Sequence, residues 1–94
     1  MRRIRKYEEL AMDTHLHNIS EVQRFTGFSY AESKKLYQKA YQKDLDLLGE
    51  YMDTPYVRKK TVMKITGITE QDIYEKMRML EHPHIDDLAK SSSF

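Results

Sequence analysis

The amino-acid sequence predicts an all-α fold of about five helices, four of them paired into two repeated helical hairpins. Three observations carry that prediction. Only three Gly and two Pro interrupt 94 residues. β-Branched residues are scattered instead of alternating with polar ones over strand lengths. Apolar residues recur at three-and-four spacing, the period of a helix with one buried face. A chain of this length makes one domain or two very small modules, and it can bury an ordinary core without metal or crosslinks.

The first helix is expected over about Arg3 to Met12, with Ile4, Tyr7, Leu10 and Ala11 on one side, stopping near Asp13-Thr14. A short helix then begins in the segment Asn18 to Gln23. Ser20 is placed to accept from the amide three residues on while Gln23 reaches back, and Gly27 ends the helix. Ser29 and Glu32 form a stronger capping box that opens the longest helix, from Tyr30 to near Leu48 or Tyr51. Its inward stripe is expected to be Ser33, Leu36, Tyr37, Ala40, Tyr41, Leu47, Leu48 and Tyr51. At about 100° per residue Asp44 falls inside that stripe and Leu45 outside it, so either the helix bends or a second surface covers Leu45.

Gly49 suits a left-handed helix terminator. Asp53-Thr54-Pro55 is the clearest hinge, because the residue before proline is pushed out of the helical region. Beyond it a short helix is expected over about Val57 to Thr66. Another follows from Glu70 to about Glu81, capped by Thr69 and broken by Pro83. Ile85 to Lys90 can add a last turn or two. The expected organisation is a first unit over 1–53, a second over 54–90 and a disordered tail over 91–94, packed as one compact domain.

An internal repeat ties the two units together. Residues 22–32 laid over 62–72, a shift of 40, match Val22 with Val62, Arg24 with Lys64, Phe25 with Ile65 and Thr26-Gly27 with Thr66-Gly67. Phe28 with Ile68, Ser29 with Thr69 and Glu32 with Asp72 continue the match. The string has a direct mechanical meaning. A short helix ends on a glycine able to take positive φ, an apolar residue plugs the corner, and a hydroxyl caps the next helix.

These residues resemble the helix-turn-helix superfamily of DNA-binding proteins. In that superfamily the turn glycine sits five positions after an apolar residue and is followed by an apolar residue and Ser or Thr. Val22 to Gly27 and Val62 to Gly67 share that interval, and Ser33 and Ile73 occupy the inward position six residues after the glycine. Gln23 and Met63 stand where the superfamily has a small residue. The resemblance covers about 20 residues per copy. With the small size and absent cysteine, the chain also resembles small regulators of bacteriophages and mobile elements, such as excisionase-like or repressor-like proteins.

The resemblance implies duplex DNA as the partner, read by the N-terminal part of a recognition helix while surrounding cations hold phosphates. Total charge is no guide, since 16 Lys+Arg stand against 15 Asp+Glu, so attraction must come from local patches. In the first copy Tyr30, Ala31, Lys34, Lys35 and Gln38 are the candidates for base contacts, and no acid occurs from residue 33 through residue 43. Arg2, Arg3, Arg5, Lys6, Lys39, Arg58, Lys59, Lys60 and Lys64 are the candidates for phosphate contacts. The second copy begins Glu70-Gln71-Asp72, which suits a helix N-terminus but repels phosphate. Such a chain either reads DNA as a homodimer or uses its two internal copies to mimic one.

The alternative is a protein-interaction module, or a phage-encoded inhibitor of a host protein. It would make contact through Leu45, Leu47, Tyr51 and Met52 or through the corner residues Phe28 and Ile68. The Thr-Gly-Phe-Ser corner also resembles the Met-Gly-Phe loop that ubiquitin-associated domains present to a partner.

Without cysteine there is no disulfide, thiolate zinc site or cysteine nucleophile. The four histidines form two His-x-His pairs, His15/His17 and His82/His84, better read as solvated loop residues than as metal ligands. No phosphate-cradling glycine loop, nucleophile elbow or zinc-protease helix is present. The expectation is a non-enzyme with no cofactor and no metal. No apolar run reaches bilayer length, and the opening MRRIRKYEEL turns acidic before a signal-peptide core could form, so a soluble cytoplasmic chain is expected.

Overall fold

A computed structural model describes residues 5–52 and 54–81. The expected turn over 85–90, the tail over 91–94, the break at Pro83, the pair His82/His84 and the residues Arg2, Arg3 and Asp53 lie outside the described residues. Five α-helices and a two-stranded antiparallel ladder follow in the order α1 (Tyr7–Met12), β1 (His15–Leu16), α2 (Ile19–Thr26), α3 (Tyr30–Leu48), β2 (Val57–Arg58), α4 (Lys59–Thr66) and α5 (Glu70–Glu81). A single 3-10 turn, Gly49–Tyr51, closes α3.

The two corners share their turn and threonine bonds, but Phe28 is 37% exposed and does not plug its corner as the half-buried Ile68 does. Among the described residues the expected Ser29 and Glu32 box lacks the return bond from Glu32. Gly27 and Gly67 both have φ 80, with ψ 8 and 7, and their amides donate to Gln23 and Met63 carbonyls at 2.8 Å. The hydroxyls of Thr26 and Thr66 donate to the Val22 and Val62 carbonyls at 2.8 Å. The same oxygens accept from the amides of Phe28 and Ile68, at 3.1 and 3.3 Å. Ser29 then accepts from the Glu32 amide at 3.2 Å, and Thr69 from the Asp72 amide at 3.1 Å. Asp72 completes the second box by accepting from the Thr69 amide at 2.9 Å.

The ladder relates the two units. His15 pairs with Arg58 and Leu16 with Val57, so a shift of 42 residues exchanges the two pairs, as an approximate two-fold axis through the ladder would. The helices repeat at 40 because His17 and Asn18 separate β1 from α2, whereas α4 follows β2 directly. Two-residue strands leave no alternation for a sequence reading to detect, and Val57–Arg58 is extended instead of opening the helix.

The core runs between the units. Leu10, Leu16, Val22, Val57 and Val62 are fully buried, with Phe25, Leu36, Ala40 and Ile73 around them. Burying each such aliphatic side chain is worth about 1.5–3 kcal/mol relative to exposure. The ring of Tyr7 stacks on Phe25 with centroids 5.8 Å apart, and Lys76 Nζ sits 4.4 Å over the Tyr7 ring, holding α5 against α1. The Tyr37 hydroxyl donates to the Pro55 carbonyl at 3.0 Å and so ties the link between the units to α3.

Several local expectations are corrected. The backbone at residues 5 and 6 is not helical, because Lys6 is the extended N-cap of α1 and its amide donates to Glu9 Oε1 at 3.2 Å. Asn18, not Ser20, caps α2, accepting from the Glu21 amide at 2.9 Å. Gly49 has positive φ but ψ −124, outside the left-handed helical well. The inward stripe of α3 ends at Asp44 and the half-buried Leu48: Leu47 is 71% and Tyr51 80% exposed, because the helix outruns the elements that cover it.

Candidate nucleic-acid interface

The position that did not fit the α3 stripe explains how α3 is joined to the second unit. Asp44 is fully buried and accepts from the Arg58 amide at 2.9 Å, from Arg58 Nε at 3.0 Å and from the Thr61 hydroxyl. Arg58 is the N-cap residue of α4, whose side chain makes no capping bond of its own. A carboxylate 14 residues upstream thus serves that helix start, where negative charge is also favoured by the helix dipole. Neither a bend in α3 nor a cover over Leu45 is needed, and Leu45 stays 40% exposed.

This joint places α3 and α4 side by side with an open groove of about 890 Å³ between them. Lys39 and Lys43 of α3 line it on one side; Arg58, Lys60 and Lys64 line it on the other. Leu47, Ile65, Thr61, Asp44 and Asp46 complete the lining. Lys39/Lys43 and Lys60/Lys64 are each four residues apart, so each pair projects from one helix flank with about 6 Å of rise between its members. Lys35 lies one turn before Lys39 on the same flank, making a single row of three lysines along α3.

The base-contact candidates are all on the surface. Tyr30 is 54% exposed, and Ala31, Lys34, Lys35 and Gln38 are exposed on the first half of α3. The phosphate candidates divide. Lys39, Arg58, Lys60 and Lys64 come together in the groove, although the Nε of Arg58 is held by Asp44. Lys6 is exposed at the start of α1, away from that lining. Lys59 turns the other way, its Nζ donating to the Ala11 carbonyl.

Arg5 is committed to a different task. Its Nε and one terminal nitrogen donate to the two oxygens of the buried Glu21 carboxylate, each at 2.7 Å, and the other terminal nitrogen donates to Asp13. The Glu21 carboxylate also accepts from the His17 amide at 2.6 Å. The Arg5 bond holds Asp13 down to about 2. Burial pushes Glu21 up, but its bonds to Arg5 and the His17 amide outweigh that and leave it below the ordinary carboxylate value. A guanidinium engaged by two carboxylates is not part of a basic arm, and the expected role of Arg5 toward phosphate is withdrawn on that geometry.

Lys43 was missing from the expected cation set. Its signal is the four-residue spacing of Lys35, Lys39 and Lys43 along one flank of α3. Among the described residues no three His, Asp or Glu side chains cluster as metal ligands, and no described helix is long and apolar enough to cross a membrane. No family model, curated protein or solved structure matches the chain.

Proposed function

We propose that the chain is a small regulator that binds duplex DNA. In this reading α3 enters the major groove, and the trough between α3 and α4 seats one phosphate backbone. The observation that carries the proposal is the merging of cations from two separate stretches, Lys39/Lys43 and Arg58/Lys60/Lys64, on one surface continuous with the exposed Lys34 and Lys35. Opposed rows of lysines suit a polyanion whose charges repeat along a line. Lys34, Lys35 and Gln38 carry the donors and acceptors that read base edges, and Tyr30 is placed for a phosphate or a thymine methyl. A role in transcription or in recombination and excision control accords with the helix-turn-helix resemblance.

Fluorescence anisotropy with duplexes of different sequence tests this. Lys43→Ala with Lys64→Ala should weaken binding by a similar factor for every sequence, whereas Lys34→Ala with Lys35→Ala should also erode the preference among sequences. No binding of wild-type protein to any duplex at low salt would remove the proposal. A protein-interaction module is the second reading, favoured by Leu47, which stands largely exposed at the rim of the same groove.

A further inference from the structure

The two units differ most in charge, at positions the repeat makes equivalent. Under the 40-residue shift Tyr30 corresponds to Glu70, Lys35 to Glu75 and Lys39 to Met79. The flank that carries Lys35 and Lys39 on α3 therefore carries Glu75 and Met79 on α5, four residues apart on one side of the helix, whereas Asp72 corresponds to Glu32 and keeps its charge. Both are exposed, Met79 at 62%, and the Glu75 carboxylate accepts from the Gln71 side chain through Oε1 at 3.2 Å. The inner side of α5 is occupied by its own chain, with Ile73 buried, Lys76 over Tyr7 and the Asp72 carboxylate bonded to the Thr69 amide, so among the described residues it is the Glu75 and Met79 flank that faces outward.

The α3–α4 groove is the complement of that flank. Its walls carry Lys39, Lys43, Lys60 and Lys64, and Leu47 and Ile65 add apolar surface to the lining. An eight-residue α4 spans about 12 Å, room for two turns of a helix laid against it. Glu75 and Met79 fall within such a length, a carboxylate for the lysines and a flexible thioether for Leu47 and Ile65.

We propose that copies of this chain associate head to tail, α5 of one copy lying in the α3–α4 groove of the next. The donor and acceptor surfaces are different, so the contact is heterologous and propagates unless it closes into a ring. It requires no DNA, and it competes with DNA for Lys43 and Lys64.

Sedimentation velocity on the full chain without DNA tests this independently of the DNA reading. The sedimentation coefficient should rise with concentration, and raising salt from about 50 to 500 mM should move that rise to roughly tenfold higher concentration. Lys43→Ala with Lys64→Ala removes the acceptor, and Glu75→Ala with Met79→Ala removes the donor; each pair alone should sediment as a monomer. Mixed together, the two variants retain one good surface each and should form a one-to-one dimer that grows no further. A wild-type monomer at every concentration, a dimer unmoved by either pair, loss with only one pair, or no dimer on mixing would each overturn the proposal.

Discussion

Replacing Asp44 by alanine should cost more stability than any other single change on α3. The carboxylate is fully buried and accepts three bonds, from the Arg58 amide, Arg58 Nε and the Thr61 hydroxyl. Removing one partner of a buried ion pair costs about 3–5 kcal/mol, because the other is left without compensation. The Arg58 side chain keeps 22% exposure, so its guanidinium can partly rehydrate, which puts the expected loss near the lower end, about 3 kcal/mol. With a urea dependence of about 1 kcal/mol per M, the unfolding midpoint should fall by roughly 3 M. Asp46→Ala is the control: Asp46 is exposed, accepts from the Gln42 side chain at 2.8 Å, and should move stability by less than about 0.5 kcal/mol. Equal midpoints for the two variants would refute the view that Asp44 joins the units.

Gly27→Ala and Gly67→Ala should destabilise by about 1 kcal/mol each and by nearly equal amounts, since both sit at φ 80 and an added Cβ meets nothing within 4 Å at either. Urea midpoints check this, and a cost at one corner only would contradict their equivalence. The ion pairs of Arg5 set a pH dependence. Asp13 and Glu21 are both held below their ordinary values, so their contribution is fully present above about pH 5 and is lost as pH falls toward 2. Glu21→Gln should therefore be destabilised at neutral pH, with the gap to wild type narrowing in acid; a pH-independent gap would refute the assignment. The Ser33 hydroxyl is buried with no hydrogen-bond partner among the described residues, so Ser33→Ala should raise stability by about 0.5–1 kcal/mol in thermal or urea unfolding.

What the sequence made legible was local. The Thr-Gly corners, the Ser29 and Thr69 caps and the long reach of α3 depend on residues within one or two turns of each other, and the structure has them as expected. Asp44 was visible as a misfit, but its partners lie 14 and 17 residues away on an element placed only by tertiary packing. The same distance effect hid Arg5, whose buried acceptor Glu21 is 16 residues on. Asn18 and Ser20 both carry good capping groups, and which one caps depends on where β1 releases the chain. The exposed Leu47 shows that periodicity says which way a side chain faces but not whether a neighbouring element extends far enough to cover it. The groove itself belongs to the same class, since Lys39 and Lys60 become neighbours only through the Asp44 joint.

The most direct test of the account is the salt dependence of DNA affinity for the wild-type chain and for the Lys43→Ala, Lys64→Ala pair. If the four groove lysines neutralise four phosphates, log affinity should fall against log salt with a slope of about −3.6, a roughly 150-fold loss between 50 and 200 mM, and the paired variant should flatten that slope by about 2. A wild-type slope near zero, or one that the paired variant leaves unchanged, would contradict the assignment of this groove to a phosphate backbone.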